Sequence, residues 1–383
     1  MWLSMSAPDP WHYPRTELAK RTFALIEKRL ANALVLFGPR RIGKTEFLLR
    51  DLGPLAEKAG HRVVYASFWQ SPLSPAATLL AALHEGLKKR GLAGQLQRLA
   101  EGFGPRIRLG AKLPGLGEAG AEIDLTSLKG TPASDVLLLI DELLGKLARK
   151  AKPTVLMLDE VQELATEPGN RPLVAALRTS LDKRRDGLAA VFTGSNRDAL
   201  AAMFSDRQAP FFHFATSIEL EPLGRPFVEH LLAAFHRATG ERLDTVAALA
   251  AFEDLHGNPF FFRKLLELLL PESKRDIKTA LERLRIGLAA NLGYDRLWLS
   301  LNPLQRALAH TLARGTQTPF GEANRAEIGR LTNTPPPTIA QTQTALRRLV
   351  RLNVVTRIDG NTAYVFDDPE LARWIASRPK HAI

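Results

Sequence analysis

The chain has 383 residues, 45% hydrophobic and 24% charged, enough apolar sequence for two or three folded domains, which excludes a disordered or collagen-like chain. With no cysteine, disulfide frameworks and thiolate metal sites are excluded, and a reducing, cytoplasmic setting is expected. Lys and Arg outnumber Asp and Glu by 52 to 40, a net charge of +12 that fits a polyanionic partner such as nucleic acid without requiring one.

No apolar run approaches the roughly 20 residues of a membrane span. Residues 1–6 lack the basic and apolar regions of a signal peptide, so no membrane partner is expected. After a Pro/Trp-rich tail, Leu18, Phe23, Leu25, Ile26 and Leu30 outline an amphipathic helix, expected to pack beside the stretch that follows. Ala33–Phe37 is an apolar run of strand length, and Glu46-Phe47-Leu48-Leu49-Arg50 reads as the first turns of a helix. Between them stands Gly38-Pro39-Arg40-Arg41-Ile42-Gly43-Lys44-Thr45. Strand, GxxxxGK[ST] and helix in that order make a phosphate-binding P-loop. Gly38 lets the chain leave the strand, and Gly43 lets the backbone approach phosphates. The successive N–H groups and the helix N-terminus form an anion cradle from Gly38 through Glu46. Lys44 is expected to reach the β- and γ-phosphates of ATP, and the Thr45 hydroxyl to hold Mg2+.

Arg62–Phe68 is a second buried strand between Gly60 and Pro72, and Ala76–Arg90 a helix with Leu79, Leu80 and Leu83 on one face. Residues 105–126 break this rhythm with two short alternating segments around a Pro/Gly-rich turn, which reads as an inserted hairpin or a flexible loop. A helix over Asp135–Arg149 leads to Thr154-Val155-Leu156-Met157-Leu158-Asp159-Glu160. Here an apolar strand ends in two carboxylates. Asp159 is placed to bind Mg2+ through its waters, and Glu160, one residue on, to polarise the attacking water as general base. A helix over Pro172–Arg185 precedes Leu188–Asn196, a strand ending in small polar residues; Ser195 and Asn196 are candidate sensors of the γ-phosphate or lytic water. Thr216–Leu223 closes the sheet with a period-two pattern. The expected fold is α/β, a P-loop NTPase with a doubly wound parallel sheet, and the order of its motifs is AAA+-like.

Arg225 to about Pro271 reads as a small helical lid. Its Gly257-Asn258-Pro259 stops one helix and starts the next, and Arg263 is a candidate γ-phosphate sensor. Residues 272–300 read as a charged helical connection. Beyond them come helices marked by Leu304, Leu308 and Leu312, then by Glu327–Leu331. A third opens at Pro336/Pro337 and runs through Leu352, with Ile339, Leu346, Leu349 and Val350 on its buried face. Two short strands flank Asp359-Gly360-Asn361, a hairpin turn. This is a winged-helix pattern, and from Ser300 onward eleven basic against six acidic residues leave +5. If it binds DNA, Gln341, Arg348 and Arg351 on the third helix and Arg357 on the wing are the expected contacts. A winged helix that docks protein or regulates the ATPase is the alternative. The expected domains are 1–224 (core), 225–299 (lid and connector) and 300–383 (winged helix).

Gly38–Thr45, Leu158-Asp-Glu-Val-Gln-Glu-Leu164, the Gly257-Asn258-Pro259 turn and the wing running into Phe366-Asp367-Asp368-Pro369 resemble the archaeal-type ATPase family, related to AAA+ and STAND proteins. The resemblance covers roughly residues 14–375. It implies an ATPase core, helical lid and C-terminal winged helix, with Lys44, Thr45, Asp159 and Glu160 in the roles above. One departure stands out: where the family often has Tyr-Gly-Arg, the chain has Phe212-His213-Phe214. Arg207, just upstream, is then the candidate arginine finger acting across subunits of a homo-oligomer. Since such a finger contributes about 10³–10⁵ in rate, its loss favours a slow switch over a motor. Three functions compete: an ATP-dependent switch, a DNA-binding initiator or transposition regulator resembling origin-recognition ATPases, and a STAND-like signalling ATPase with a protein partner and no nucleic acid.

Overall fold

The computed structural model describes residues 9–69, 74–88, 133–149, 151–165, 167–195, 197–205, 207–272, 275–357 and 363–379. The stretch 105–126, Asn196 and the wing tip at 359–361 lie outside the described residues. The chain divides into two compact units, Pro14–Gly38 with Lys44–Leu220, and Met1–Tyr13 with Pro39–Gly43 and Glu221–Ile383.

The first unit is a sheet between helices. Among the described residues it holds strands β1 (Ala33–Phe37), β2 (Val63–Ser67), β3 (Thr154–Asp159), β4 (Leu188–Thr193) and β5 (Thr216–Glu219), all parallel, in the order β2-β3-β4-β1-β5. Every residue of β3 and β4 is buried, as expected of central parallel strands covered on both faces, whose sequences are continuous apolar runs. In register, Leu34 faces Val191 and Leu158 faces Phe192. After β1 the chain crosses to the far edge at β2, whereas after β4 it crosses the other way to β5. Right-handed crossovers in opposite directions leave on opposite faces, so a crevice opens at the carboxyl ends of β1 and β4. Strand β5 is shorter than the expected 216–223 and mostly exposed. It borders the sheet, and a bond from the Leu220 N–H to the Phe37 carbonyl extends its pairing.

Helix α1 (Thr16–Glu27) buries Ala19, Thr22, Phe23 and Ile26 and packs on the helix that follows the phosphate loop, as its pattern suggested. Leu30 is the exception at 73% exposed. The helix ends before it, and Arg29 turns left-handed with φ 55°. The loop helix runs as α2 (Lys44–Glu46), a π-helical turn at Phe47–Leu52, and α3 (Gly53–Lys58). Helices α4 (Pro75–Lys88) and α5 (Ala133–Leu147) pack together over the sheet, joining Leu79, Leu83, Leu143 and Leu144 to Leu156, Leu158 and Phe192. Helices α6 (Arg171–Lys183) and α7 (Arg197–Ser205) complete the unit.

The second unit holds two apolar clusters. Around Phe227, Phe235, Phe252 and Phe262 pack α8 (Arg225–Thr239), α9 (Thr245–Asp254), α10 (Pro259–Leu269) and α11 (Ile277–Asn291). Asn258 caps α10 by accepting from the Phe260 and Phe261 N–H groups, with Pro259 in the first turn, which is how Gly-Asn-Pro separates two helices. The segment that reads as a connection, 272–300, instead supplies core: α11 buries Ile277, Ala280, Leu281, Leu284 and Leu288.

Tyr294, Trp298, Leu308, Ile328, Leu346, Leu349, Val355 and Leu371 form the other cluster. It unites α12 (Tyr294–Ser300), α13 (Pro303–Ala313), α14 (Glu322–Thr332) and α15 (Ile339–Arg351) with an antiparallel hairpin of β6 (Val355–Arg357) and β7 (Tyr364–Phe366). Helices followed by this hairpin make a winged helix. The third helix starts at Ile339 rather than Pro336, because Thr338 and Gln341 form a reciprocal capping box. Ile339 then stands in the first turn and is 50% exposed, not buried. Helix α16 (Pro369–Ala376), capped by Asp368, follows the wing and was not anticipated.

Candidate active site

The carboxyl ends of β1, β4 and β3 bring five expected residues together: Lys44, Thr45, Asp159, Glu160 and Ser195. Gly43 has φ 97°, a conformation that glycine adopts at no steric cost and that turns the loop into its helix. Lys44 opens the helix, is only 6% exposed, and donates from Nζ to the Gly38 carbonyl at 2.8 Å. The ammonium is thus held inside the mouth of the loop.

Asp159, at the end of β3, collects four donors. Its Oδ2 accepts from Thr45 Oγ1 at 2.6 Å and from Tyr65 Oη at 3.0 Å. Its Oδ1 accepts from the Thr193 hydroxyl and from the Glu160 N–H at 3.0 Å. Burial, then the charge of Asp159, pushes the Tyr65 hydroxyl above its ordinary pKa, so Tyr65 stays neutral and remains a donor. Glu160 follows in a left-handed conformation, φ 56°. Its Oε2 accepts from Ser195 Oγ at 2.7 Å, the Ser195 N–H at 3.1 Å and Gln162 Nε2 at 2.5 Å. Tyr65, Thr193 and Gln162 were not singled out from the sequence. Tyr65 and Thr193 are strand residues next to a motif, and Gln162 lies two residues past the carboxylate pair, the only local signal any of them carries.

The other expected residues are placed as follows. Glu46 is exposed and pairs with Arg50 one turn on at 2.5 Å. Pro39 is exposed, Arg40 half-buried and Ile42 buried. Arg41, within the second unit, donates to Asp368 Oδ2 at 2.9 Å and lies 5.2 Å from the ring centres of Phe260 and Phe261. Tyr294 Oη donates to that same Asp368 oxygen at 2.8 Å. Arg263 pairs with Asp9 at 3.3 Å. Arg207 is exposed in the turn after α7. Arg348, Arg351 and Arg357 are exposed, whereas the Gln341 carboxamide oxygen accepts from the Thr338 N–H at 2.8 Å within the capping box. Among the described residues, no group of three or more His, Cys, Asp or Glu is placed to hold a metal by itself. The paired Thr45 and Asp159 oxygens are instead the hard donors that suit a cation carried in with phosphates.

Residues 16–185 match the AAA ATPase domain family. Among solved structures, the Walker-type ATPase Paby2304 of Pyrococcus abyssi is similar over 96% of this chain and 99% of its own, at 16% identity and TM-score 0.65. The ORC2 protein of Aeropyrum pernix, in ADPNP–ADP complexes, is similar over 94% of this chain and 92% of its own, at 16% identity and TM-score 0.55. At such identities the likeness is one of fold. No curated protein matches the sequence. Among the described residues, no helix is long and apolar enough to cross a membrane. The matched domain, the parallel sheet and the loop at the end of its β1 agree: residues 16–185 are similar to AAA ATPase domains and lie in an α/β P-loop fold, which the helices and winged helix of the C-terminal part follow.

Proposed function

We propose that the chain is a switch that binds and hydrolyses ATP and whose nucleotide state governs its winged helix, with DNA binding or assembly with a partner as output. The observation that carries the coupling is the Arg41–Asp368 ion pair. Arg41 belongs to the phosphate loop, and Asp368 caps the helix that follows the wing. A loop that rearranges around phosphate changes the setting of Arg41 and hence of its partner. Three working parts follow: core 1–224, lid and connector 225–299, winged helix 300–383.

In this reading Lys44 leaves the Gly38 carbonyl for the β- and γ-phosphates. Thr45 and Asp159 hold Mg2+, which supplies charge neutralisation at those phosphates when bound. Glu160 takes the proton of the attacking water, with Ser195 beside it. Arg207, exposed, serves a neighbouring copy as finger. Arg348, Arg351 and Arg357 face phosphates of DNA.

Thermal melting and DNA binding with ATP, ADP and no nucleotide test the reading. ATP at 100 times Kd should stabilise the wild type by about 2.7 kcal/mol, and Lys44→Ala should lose this shift. Asp368→Ala should keep ATP binding but lose the nucleotide dependence of DNA affinity or of elution in gel filtration. An undiminished shift in Lys44→Ala sinks the loop assignment. A wild type whose DNA binding and assembly ignore nucleotide sinks the switch.

A further inference from the structure

We infer that Gln162 is a positioning residue for the Glu160 carboxylate, holding one of its oxygens so that the other is presented to the water to be activated. This rests on the reading of Glu160 as the base. The left-handed backbone at Glu160 (φ 56°) turns its side chain toward the end of β4 rather than along β3. The next residues, Val161–Ala165, form a 3-10 turn that folds Gln162 back onto Glu160. Three hydrogen bonds then converge on Oε2, from Gln162 Nε2, Ser195 Oγ and the Ser195 N–H. Among the described residues none falls on Oε1. An acceptor fixed through one oxygen keeps the second free to take a proton in a defined direction, the geometry a general base requires.

The packing around the amide is built for this contact. Gln162 is buried, and its Oε1 finds no hydrogen-bond partner among the described residues. A buried carboxamide with one unsatisfied atom costs stability rather than adding it. Gly194 lies across the amide: a Cβ there would collide with Gln162 Oε1. The exit from β4 thus leaves room for Gln162 between Ser195 and Glu160. A residue serving packing alone would be better apolar here; the amide N–H is what Glu160 uses.

Gln162→Met tests this, since it keeps the length and volume and removes both the donor and the unsatisfied oxygen. Steady-state ATP turnover, binding of a fluorescent ATP analogue and thermal melting are measured together. The expected result is a kcat lowered about ten- to hundredfold, with analogue affinity within about twofold and a melting temperature equal to or above wild type. In a Glu160→Gln background, Gln162→Met should lower the residual kcat no further, because its effect passes through the Glu160 carboxylate. An unchanged kcat in Gln162→Met, with Glu160→Gln inactive, overturns the positioning role and leaves the base assignment standing. An equal fractional loss in both backgrounds overturns it as well. Glu160→Gln turning over like wild type overturns the base assignment, and the inference falls with it.

Discussion

Four hydrogen bonds saturate the Asp159 carboxylate, and one of them sets a measurable requirement. If Thr45 and Asp159 hold Mg2+, as proposed, Tyr65 would be the donor that orients the Asp159 carboxylate from its other side. Outer-shell donors of this kind typically govern metal affinity by about 10- to 100-fold. Tyr65→Phe should therefore raise the Mg2+ concentration for half-maximal ATP binding by about tenfold or more, with little effect on nucleotide binding in EDTA. Identical Mg2+ titrations for variant and wild type would remove Tyr65 from that role. The contrast between Asp159 and Tyr65 shows what the sequence makes legible. Phosphate chemistry demands Gly, Lys, Thr and acidic residues at set places along the chain, so Lys44, Thr45, Asp159 and Glu160 are visible without a structure. Tyr65 and Thr193 matter only because strand register sets β2 and β4 on either side of β3, as Ser67 against Asp159 and Leu158 against Phe192 show. Nothing local announces register.

Elements read well where burial is uniform or where a cap punctuates them. The central strands and the Gly257-Asn258-Pro259 break are examples. Helix α11 reads poorly because its charged residues are interleaved with an apolar face that is spread over four turns. Helix α16 is hidden because it spans only eight residues. Helix α4 carries a consequence for pH. His84 on it is buried, and its Nε2 has no partner among the described residues. Burial, with a lesser contribution from Lys88, pushes its pKa down from 6.5 to about 4. Between those values the unfolded chain binds the proton more readily than the folded one. The stability His84 contributes is full above about pH 6.5 and declines as pH falls toward 4, by about 3 kcal/mol in all. Urea unfolding at about pH 7 and about pH 4.5 should show a steep loss in wild type and a shallower one in His84→Leu. Equal slopes would mean that other groups dominate the acid limb.

At the scale of the molecule, the excess of positive charge has a candidate use on α15 and the wing. Replacing Arg348, Arg351 and Arg357 together by Ala should weaken DNA binding across sequences. The slope of log K against log salt should shrink by about 0.9 for each phosphate that is no longer neutralised. Turnover without DNA should hold, since the site residues lie on other elements. A wild type with no DNA affinity at about 50 mM salt would assign this charge to a protein partner instead. The parallel sheet and the winged helix were both foreseeable, because strand–helix alternation and hairpin turns write themselves into local patterns. How Arg41 would meet Asp368, 327 residues away in sequence, was not, since no local pattern records such a pairing.

Strand β5 has a bearing on how copies of this chain meet. An open sheet border offers unpaired N–H and C=O groups to any passing strand and invites fibre growth. Here the border is four residues long, Thr-Ser-Ile-Glu, with only Ile218 partly covered. Brevity, hydroxyls and an acid make it a poor template for strand addition. Along that border, crowded molecules of this chain are guarded against zipping together.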